Sequence, residues 1–267
     1  MAGLHEKARA SILLGWVRSV PSATREGIDP MTIGVITPTY QRRKLLSKFL
    51  SRMERQSYPG WRLIVVHDGP EDSIKSLVDW ARSADSRIAF THTERRTNNY
   101  GVSPRIEGLQ YIIREVGADY CVFWDDDNLF SRHALRRIVA AIAETDHPDL
   151  LLMPIRCDRQ VSPPRGVPIE RLDWGQVDTG CVVVRPALAL ECYESMLKLY
   201  PDGDPSVFYT QDFRLFKLIR EVRPAPRIRI ASGPPIGVHD GLRFTVYLRS
   251  VLAIKSLGLA NRFFRRD

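Results

Sequence analysis

Two hydrophobic patterns alternate along most of the chain. Short β-branched or aliphatic runs occur at Thr32–Thr37, Trp61–His67, Arg87–Thr91, Tyr120–Trp124 and Leu150–Ile155, and each predicts a strand. Between them, apolar residues recur every three or four positions. The first such set is Leu45, Leu46, Phe49, Leu50 and Met53, and the second is Ile74, Leu77, Val78 and Ala81. Ile106, Leu109, Ile112, Ile113 and Val116 make the third, and Leu135, Ile138, Val139 and Ile142 the fourth. That spacing predicts four amphipathic helices. Pro38 ends the first strand, and Asp68–Gly69–Pro70 stops the second. Ser103 and Ser131 are placed to cap helices, with Pro104 in a first turn where its missing N–H costs nothing. Gly117 closes the third helix.

Short apolar strands separated by amphipathic helices predict an α/β fold, a mostly parallel sheet covered on both faces. Ligands in such sheets bind beyond the carboxyl ends of the strands. Three segments therefore become candidate chemistry: Thr37–Gln41, His67–Gly69 and Asp125–Asp127. No GxGxxG follows the first strand and no GxxxxGK[ST] occurs anywhere, which excludes the common dinucleotide and P-loop signatures.

The ends differ from the middle. Residues 1–20 place apolar side chains at helical spacing, and Pro21–Pro30 reads as a linker, so 1–30 is an N-terminal amphipathic segment preceding the main domain. Residues 243–267 mix Tyr247, Leu252, Leu257 and Phe263 with Arg243, Arg249, Lys255 and Arg262. This basic amphipathic helix either covers the apolar side of the domain or makes peripheral contact with an anionic membrane surface.

At 267 residues the chain suits one large domain with modest additions. Its 44% hydrophobic and 26% charged content argues against disorder, and no 18-residue apolar run suggests a membrane bundle. The formal charge of +8 suits anionic ligands without choosing among them. Cys121, Cys157, Cys181 and Cys192 have no CxxC spacing, which argues against structural zinc and suits a reduced, cytoplasmic setting.

Asp125, Asp126 and Asp127 follow a hydrophobic strand directly. Three adjacent carboxylates repel one another, and a hard divalent cation such as Mn²⁺ or Mg²⁺ compensates them well. A solvated acidic turn before a helix is the plainer alternative.

Six segments in order now make the chain resemble a family 2 glycosyltransferase of the GT-A fold. They are ITPTYQR (Ile36–Arg42), LIVVHDGP (Leu63–Pro70), RTNNYGVSPRIEGL (Arg96–Leu109), FWDDDNLF (Phe123–Phe130), VDTGCVVVRP (Val177–Pro186) and QDFRLFKLI (Gln211–Ile219). The resemblance divides residues 31–242 into a nucleotide-binding part, 31–130, and an acceptor-side part, 150–242. It implies an inverting, metal-assisted transfer from a nucleotide-diphospho-sugar, UDP-linked, to a glycan or glycolipid hydroxyl, in envelope polysaccharide or glycolipid assembly. By the same resemblance Thr37, Pro38 and Tyr40 line the nucleoside pocket and Asp68 binds the base. Arg96 and Arg105 contact the nucleotide, with Arg105 at the diphosphate, because a cation in a first helical turn opposes the dipole unless an anion is near. Asp125 orients the donor, Asp126 assists, and Asp127 holds the metal together with His239. Asp178, Thr179 and Gly180 face the sugar and acceptor. Read from the residues themselves, Trp174 is either a stacking platform for a sugar ring or a core tryptophan, and the proline- and charge-rich stretch Cys157–Leu172 suggests a loop that closes over the donor. Asp212 is the general base, although the family's usual Glu-Asp pair is here Gln211–Asp212.

A sugar-phosphate nucleotidyltransferase is the rival enzyme, but TPTYQRRK lacks the Gly-rich first loop such enzymes carry. A non-catalytic nucleotide- or membrane-binding module is the other alternative. Nucleic acid is not an expected partner, since the basic residues are dispersed and no recognised motif is present.

Overall fold

The computed structural model describes residues 31–157, 160–173, 175–199 and 211–239. The expected helices at 1–20 and 243–267, and Trp174, lie outside the described residues.

The elements run, in chain order, as β1 (Ile33–Thr39), α1 (Arg43–Met53), β2 (Trp61–His67), α2 (Asp72–Ala84), β3 (Ile88–His92), α3 (Val102–Tyr111) and β4 (Tyr120–Phe123). There follow β5 (Leu129–Phe130), α4 (Ala134–Glu144), β6 (Leu150–Leu152), β7 (Ile155–Cys157), β8 (Gln160–Ser162) and β9 (Val182–Val184). The described chain ends with α5 (Pro186–Leu199), α6 (Gln211–Glu221), β10 (Ile228–Ile230) and β11 (Gly237–Val238). Among the described residues no helix is long and apolar enough to cross a membrane.

The main sheet has the order β10-β6-β9-β4-β1-β2-β3. It is parallel except at β9, which runs antiparallel to both β4 and β6. Every residue of β1, β4, β6 and β9 is buried, as expected of strands covered on both faces. A smaller sheet, β5-β11-β7-β8, stands beside it. Trp124, just after β4, stacks on Phe130 of β5 at 3.9 Å between ring centroids. The acidic triplet is thereby held between two anchored ends.

Several boundaries differ from the sequence reading. β1 continues through Pro38 to Thr39, paired in register with β2 up to His67. Pro38 is tolerated because β4 stops opposite Ile36, so this stretch of β1 is bonded on one side only. Ser103 lies inside α3 rather than capping it. Asn99 performs the capping, its side chain accepting from the Ser103 N–H and its carbonyl from Val102. The third helix also changes character, because Ile112–Val116 forms a π-turn before Gly117. The wider turn rotates the residues after Ile112, and Ile113 is 39% exposed instead of joining the buried stripe. The expected closing loop at Cys157–Leu172 is partly sheet, with β8 paired to β7 and a 3₁₀ turn at Ile169–Arg171.

Helix α3 lies unusually close to the sheet. A Cβ added at Gly108 would sit 2.5 Å from Cγ2 of Ile36, a stiff β-branched side chain in the central strand. Overpacking of this severity costs about 3 kcal/mol, while Ala in a helix returns about 1 kcal/mol over Gly. Gly108→Ala is therefore expected to lose about 2 kcal/mol of stability in urea unfolding, with an unchanged denaturant slope.

Candidate active site

The carboxyl ends of β1, β2 and β4 open onto a cleft of about 480 Å³, bounded on its far side by the start of α6. Pro38, Thr39, Tyr40 and Asp68 line one wall, Asn98, Tyr100, Gly101 and Pro104 a second, and Asp125, Thr179, Gln211, Asp212 and His239 the remainder. Arg42, Arg96 and Arg105 supply positive charge to it.

The rim is built from unusual backbone. Gln41, Asn98 and Tyr100 have φ of 51°, 53° and 54°, a region that non-glycine residues seldom occupy. Each is tied down locally. The Gln41 N–H donates to Nε2 of His67, whose Nδ1 lies 2.6 Å from the Gly69 carbonyl. Asp68 organises the neighbouring loop, its carboxylate accepting from the backbone N–H groups of Thr97 and Asn98 at 2.8 Å each and from the Thr97 hydroxyl. Gly101, at φ 85°, precedes α3, and a Cβ there would sit 2.7 Å from Nη1 of Arg105.

Arg105 is 2% exposed. Nη2 donates to Asp125 Oδ1 at 2.8 Å, and Nη1 to the Tyr100 carbonyl and to Gln211 Oε1. The charge that opposes the α3 dipole thus has a protein carboxylate as its partner. Burial raises the Asp125 carboxyl above its ordinary range, and the guanidinium works in the opposite direction.

The other two acids of the triplet share Arg42. Its guanidinium lies 3.0 Å from Asp126 and 2.7 Å from Asp127. Asp126 is wholly buried and also accepts from the Thr39 hydroxyl at 2.7 Å. Burial pushes its carboxyl up to about 7, against the pull of Arg42 and Thr39. Across the cleft, Asp212 opens α6 and accepts from the Thr179 hydroxyl at 3.0 Å. Its carboxyl is also raised to about 7, by desolvation first and then by the like charge of Asp178, with Arg105 opposing.

Residues 34–168, just over half the chain, match the family described as Glycosyl transferase family 2. The chain belongs to this family. A poly(ribitol-phosphate) beta-N-acetylglucosaminyltransferase, TarS of Staphylococcus aureus, is 26% identical over 129 residues, covering 47% of this chain and 21% of that protein. A GalNAc(5)-diNAcBac-PP-undecaprenol beta-1,3-glucosyltransferase of Campylobacter jejuni is 27% identical over 110 residues, covering 40% and 33%. The chain thus spans about a fifth to a third of the length of these relatives. The crystal structure of S. aureus TarS 1-349 in complex with UDP superposes with TM-score 0.53 at 19% identity, over 78% of this chain and 60% of that one. The mannosyltransferase PcManGT of Pyrobaculum calidifontis, in complex with GDP-Man and Mn²⁺, gives 0.51 at 16%, over 89% and 64%. These structures share the GT-A fold with this family 2 chain.

Most of the residues expected from sequence come together in the cleft. Pro38, Tyr40, Asp68, Arg96, Arg105, Asp125, Asp212 and His239 all line it, and Arg96 lies over the Tyr40 ring at 4.1 Å. Thr37 does not line it. It is fully buried within β1, and the hydroxyl that reaches the acidic turn belongs to Thr39, two residues on. Asp126 sits beneath the cleft wall rather than on it. Asp127 and His239 have different neighbours: Asp127 is with Arg42, whereas His239 Nδ1 is 2.8 Å from Oδ2 of Asp178. Asp178 is set behind the cleft, its other oxygen accepting from the Gly180 N–H.

Sequence reasoning assigned no role to Arg42, Thr39 or Asn98. For Arg42 a signal existed, a cation one residue beyond a strand-end segment already marked as chemical. Gln211 also gains a physical reason. Its Oε1 accepts from Arg105 while its Nε2 donates to the Tyr100 carbonyl at 2.5 Å. A glutamate there would accept from Arg105 but turn an oxygen toward that carbonyl.

Breaking a buried ion pair leaves a charge without a partner, at a cost of about 3–5 kcal/mol. Arg105→Ala is expected to lose stability in that range by urea unfolding. The same substitution in an Asp125→Asn background should lose clearly less, the double-mutant difference giving the coupling between the two side chains.

Proposed function

We propose that this chain is an inverting glycosyltransferase, moving a sugar from a nucleotide-diphospho-sugar, UDP-linked, to a hydroxyl of a glycan or glycolipid acceptor. The observation that carries the reading is the placement of Asp212. A half-buried carboxylate raised to about 7 faces the same cleft as the strand-end loops of β1 and β2. Inversion needs an acceptor hydroxyl approaching from the face opposite the leaving group, with a base in hydrogen-bond reach. Asp212 stands across the cleft from the acidic turn and fits that task.

On the nucleotide side, the planar guanidinium of Arg96 covers the Tyr40 ring, whose centroid is 5.5 Å from that of His67, and gives a base a flat cationic group to pack against. Asp68 fixes the 93–99 loop and presents its edge to the cleft. Arg96 and Arg42 offer cationic groups to a diphosphate, while Arg105 braces Asp125 from behind. The oxygen-only donor set of the acidic turn fits a hard divalent ion, Mn²⁺ or Mg²⁺, with Asp127 as ligand and Asp125 beside it. When bound, such an ion neutralises charge on the departing diphosphate. Peripheral contact with an anionic membrane is part of the same proposal, since the Campylobacter relative's name specifies an undecaprenol-linked glycan.

Calorimetric titration with UDP, in Mn²⁺ and then in EDTA, tests the nucleotide half. Binding is expected to depend on the metal and to weaken at least about tenfold in Asp127→Ala. Failure of UDP, CDP, TDP and GDP alike to bind folded protein would overturn the reading.

The base assignment has its own test. Asp212→Asn should lower transfer by about 10²–10⁴-fold while leaving UDP affinity nearly unchanged. A base must be ionised, and Asp212 is protonated below its raised value. The rate should therefore climb as pH rises through about 7 and level off above it, and the limb should vanish in the variant.

A further inference from the structure

We propose that Cys157, Asp178 and His239 form a binding site for a thiolate-accepting divalent cation of zinc's class, separate from the acidic turn. The inference goes beyond the transferase reading and does not depend on it.

One thiol, one carboxylate and one imidazole bring their ligand atoms within 4.8 Å of one another. His239 Nδ1 is 2.8 Å and Cys157 Sγ 3.9 Å from the same atom, Oδ2 of Asp178. Zinc bonds of about 2.3 Å to sulfur and about 2.0–2.2 Å to nitrogen and oxygen set tetrahedral ligands about 3.4–3.6 Å apart. Two of the separations fall on either side of that figure and the third lies within 4.8 Å, so adjustments of up to about one ångström would complete the set.

The three donors rest on fixed backbone. Cys157 ends β7, and His239 directly follows β11, its N–H donating to the Arg156 carbonyl at 2.8 Å. These two strands are paired in parallel, which keeps the thiol and the imidazole side by side. Asp178 caps the 3₁₀ turn Thr179–Cys181, and the Gly180 N–H donating to Oδ1 leaves Oδ2 aimed at the other two. The Cys181 thiol donates to the Asp178 carbonyl at 2.8 Å, a buried outer contact of the kind that orients metal ligands.

The chemistry of the donors selects the ion. A thiolate with an imidazole favours zinc over Mg²⁺ or Mn²⁺, which prefer the all-oxygen acidic turn. Three protein ligands fall one short of a closed four-ligand structural site, and His239 alone of the three lines the cleft, which suits an exchangeable ion. On binding, the Cys157 S–H bond is replaced by sulfur–metal coordination and the proton leaves to solvent.

Cobalt(II) titration of the chelator-washed, phosphine-reduced full chain tests this without any nucleotide. A near-ultraviolet thiolate-to-cobalt charge-transfer band is expected, with tetrahedral visible bands, both removed by added Zn²⁺. Cys157→Ser and His239→Ala should abolish the band, and Asp127→Ala should retain it. No band in the unsubstituted chain, or a band that survives Cys157→Ser, overturns the proposal. Should either variant fail to fold, the unsubstituted chain still decides. Zn²⁺ should slow alkylation of Cys157, followed by peptide mapping, at least about tenfold. An unchanged rate overturns the site.

Discussion

The buried contact between Arg105 and Asp125 is the constraint on which the geometry of the cleft depends. Arg105 comes from the first turn of α3 and Asp125 from the residue pair after β4, and Gln211 at the start of α6 completes the cluster. The guanidinium reaches that position because α3 lies close against β1 through Gly108, and because Gly101 leaves room beside Nη1. A buried pair of this kind contributes little net stability over well-packed apolar side chains, since desolvation offsets the attraction. Its effect is geometric. It fixes the Tyr100 carbonyl, the first acid of the triplet and the opening of α6 relative to one another, and those are three walls of the cleft.

The acidic turn follows the same logic. Three neighbouring carboxylates would drive the turn apart if each were left to water, but the chain supplies a cation for every one. Arg105 serves Asp125, and Arg42 serves both Asp126 and Asp127. Burial distinguishes them further, since Asp126 is sealed beneath Thr39 and Arg42 whereas Asp127 remains partly open. Asp125 is as open as Asp127, and of the three it is Asp125 that lines the cleft.

The parts legible in the sequence were those fixed by periodicity. Every strand run from Thr32 to Ile155 became a strand, because period-two and continuous apolar runs have few other ways to hide their side chains. The four helices followed for the same reason. Ile113 escaped because periodicity assumes a uniform turn, and the π-turn after Tyr111 breaks that assumption where Ile112 packs against Gly34. β9 running against its neighbours was invisible, as VVV reads the same in either direction. In the cleft, Tyr40, Asp68, Asp125 and Asp212 could be placed by resemblance to a family pattern. The partners of those residues could not, since Arg96 with Tyr40, Thr97 with Asp68 and Thr179 with Asp212 are joined only by the fold, across long stretches of chain.

One cleft holds three carboxylates, and their neighbours give them three different characters. Asp68 is occupied by two backbone N–H groups and the hydroxyls of Thr93 and Thr97, so its charge is committed to holding a loop. Asp125 faces a buried guanidinium at 2.8 Å, which ties its charge to the scaffold. Asp212 receives a single hydrogen bond among the described residues, from the neutral hydroxyl of Thr179, and has the Asp178 carboxylate nearby. A proton is accepted most readily by the group with the fewest donors and the least favourable surroundings for negative charge. An amide at 211 sharpens the contrast, because a second carboxylate there would compete with Asp125 for Arg105 and add one more like charge beside Asp212. The departure from an acidic pair thus concentrates proton-accepting capacity on one residue rather than removing it.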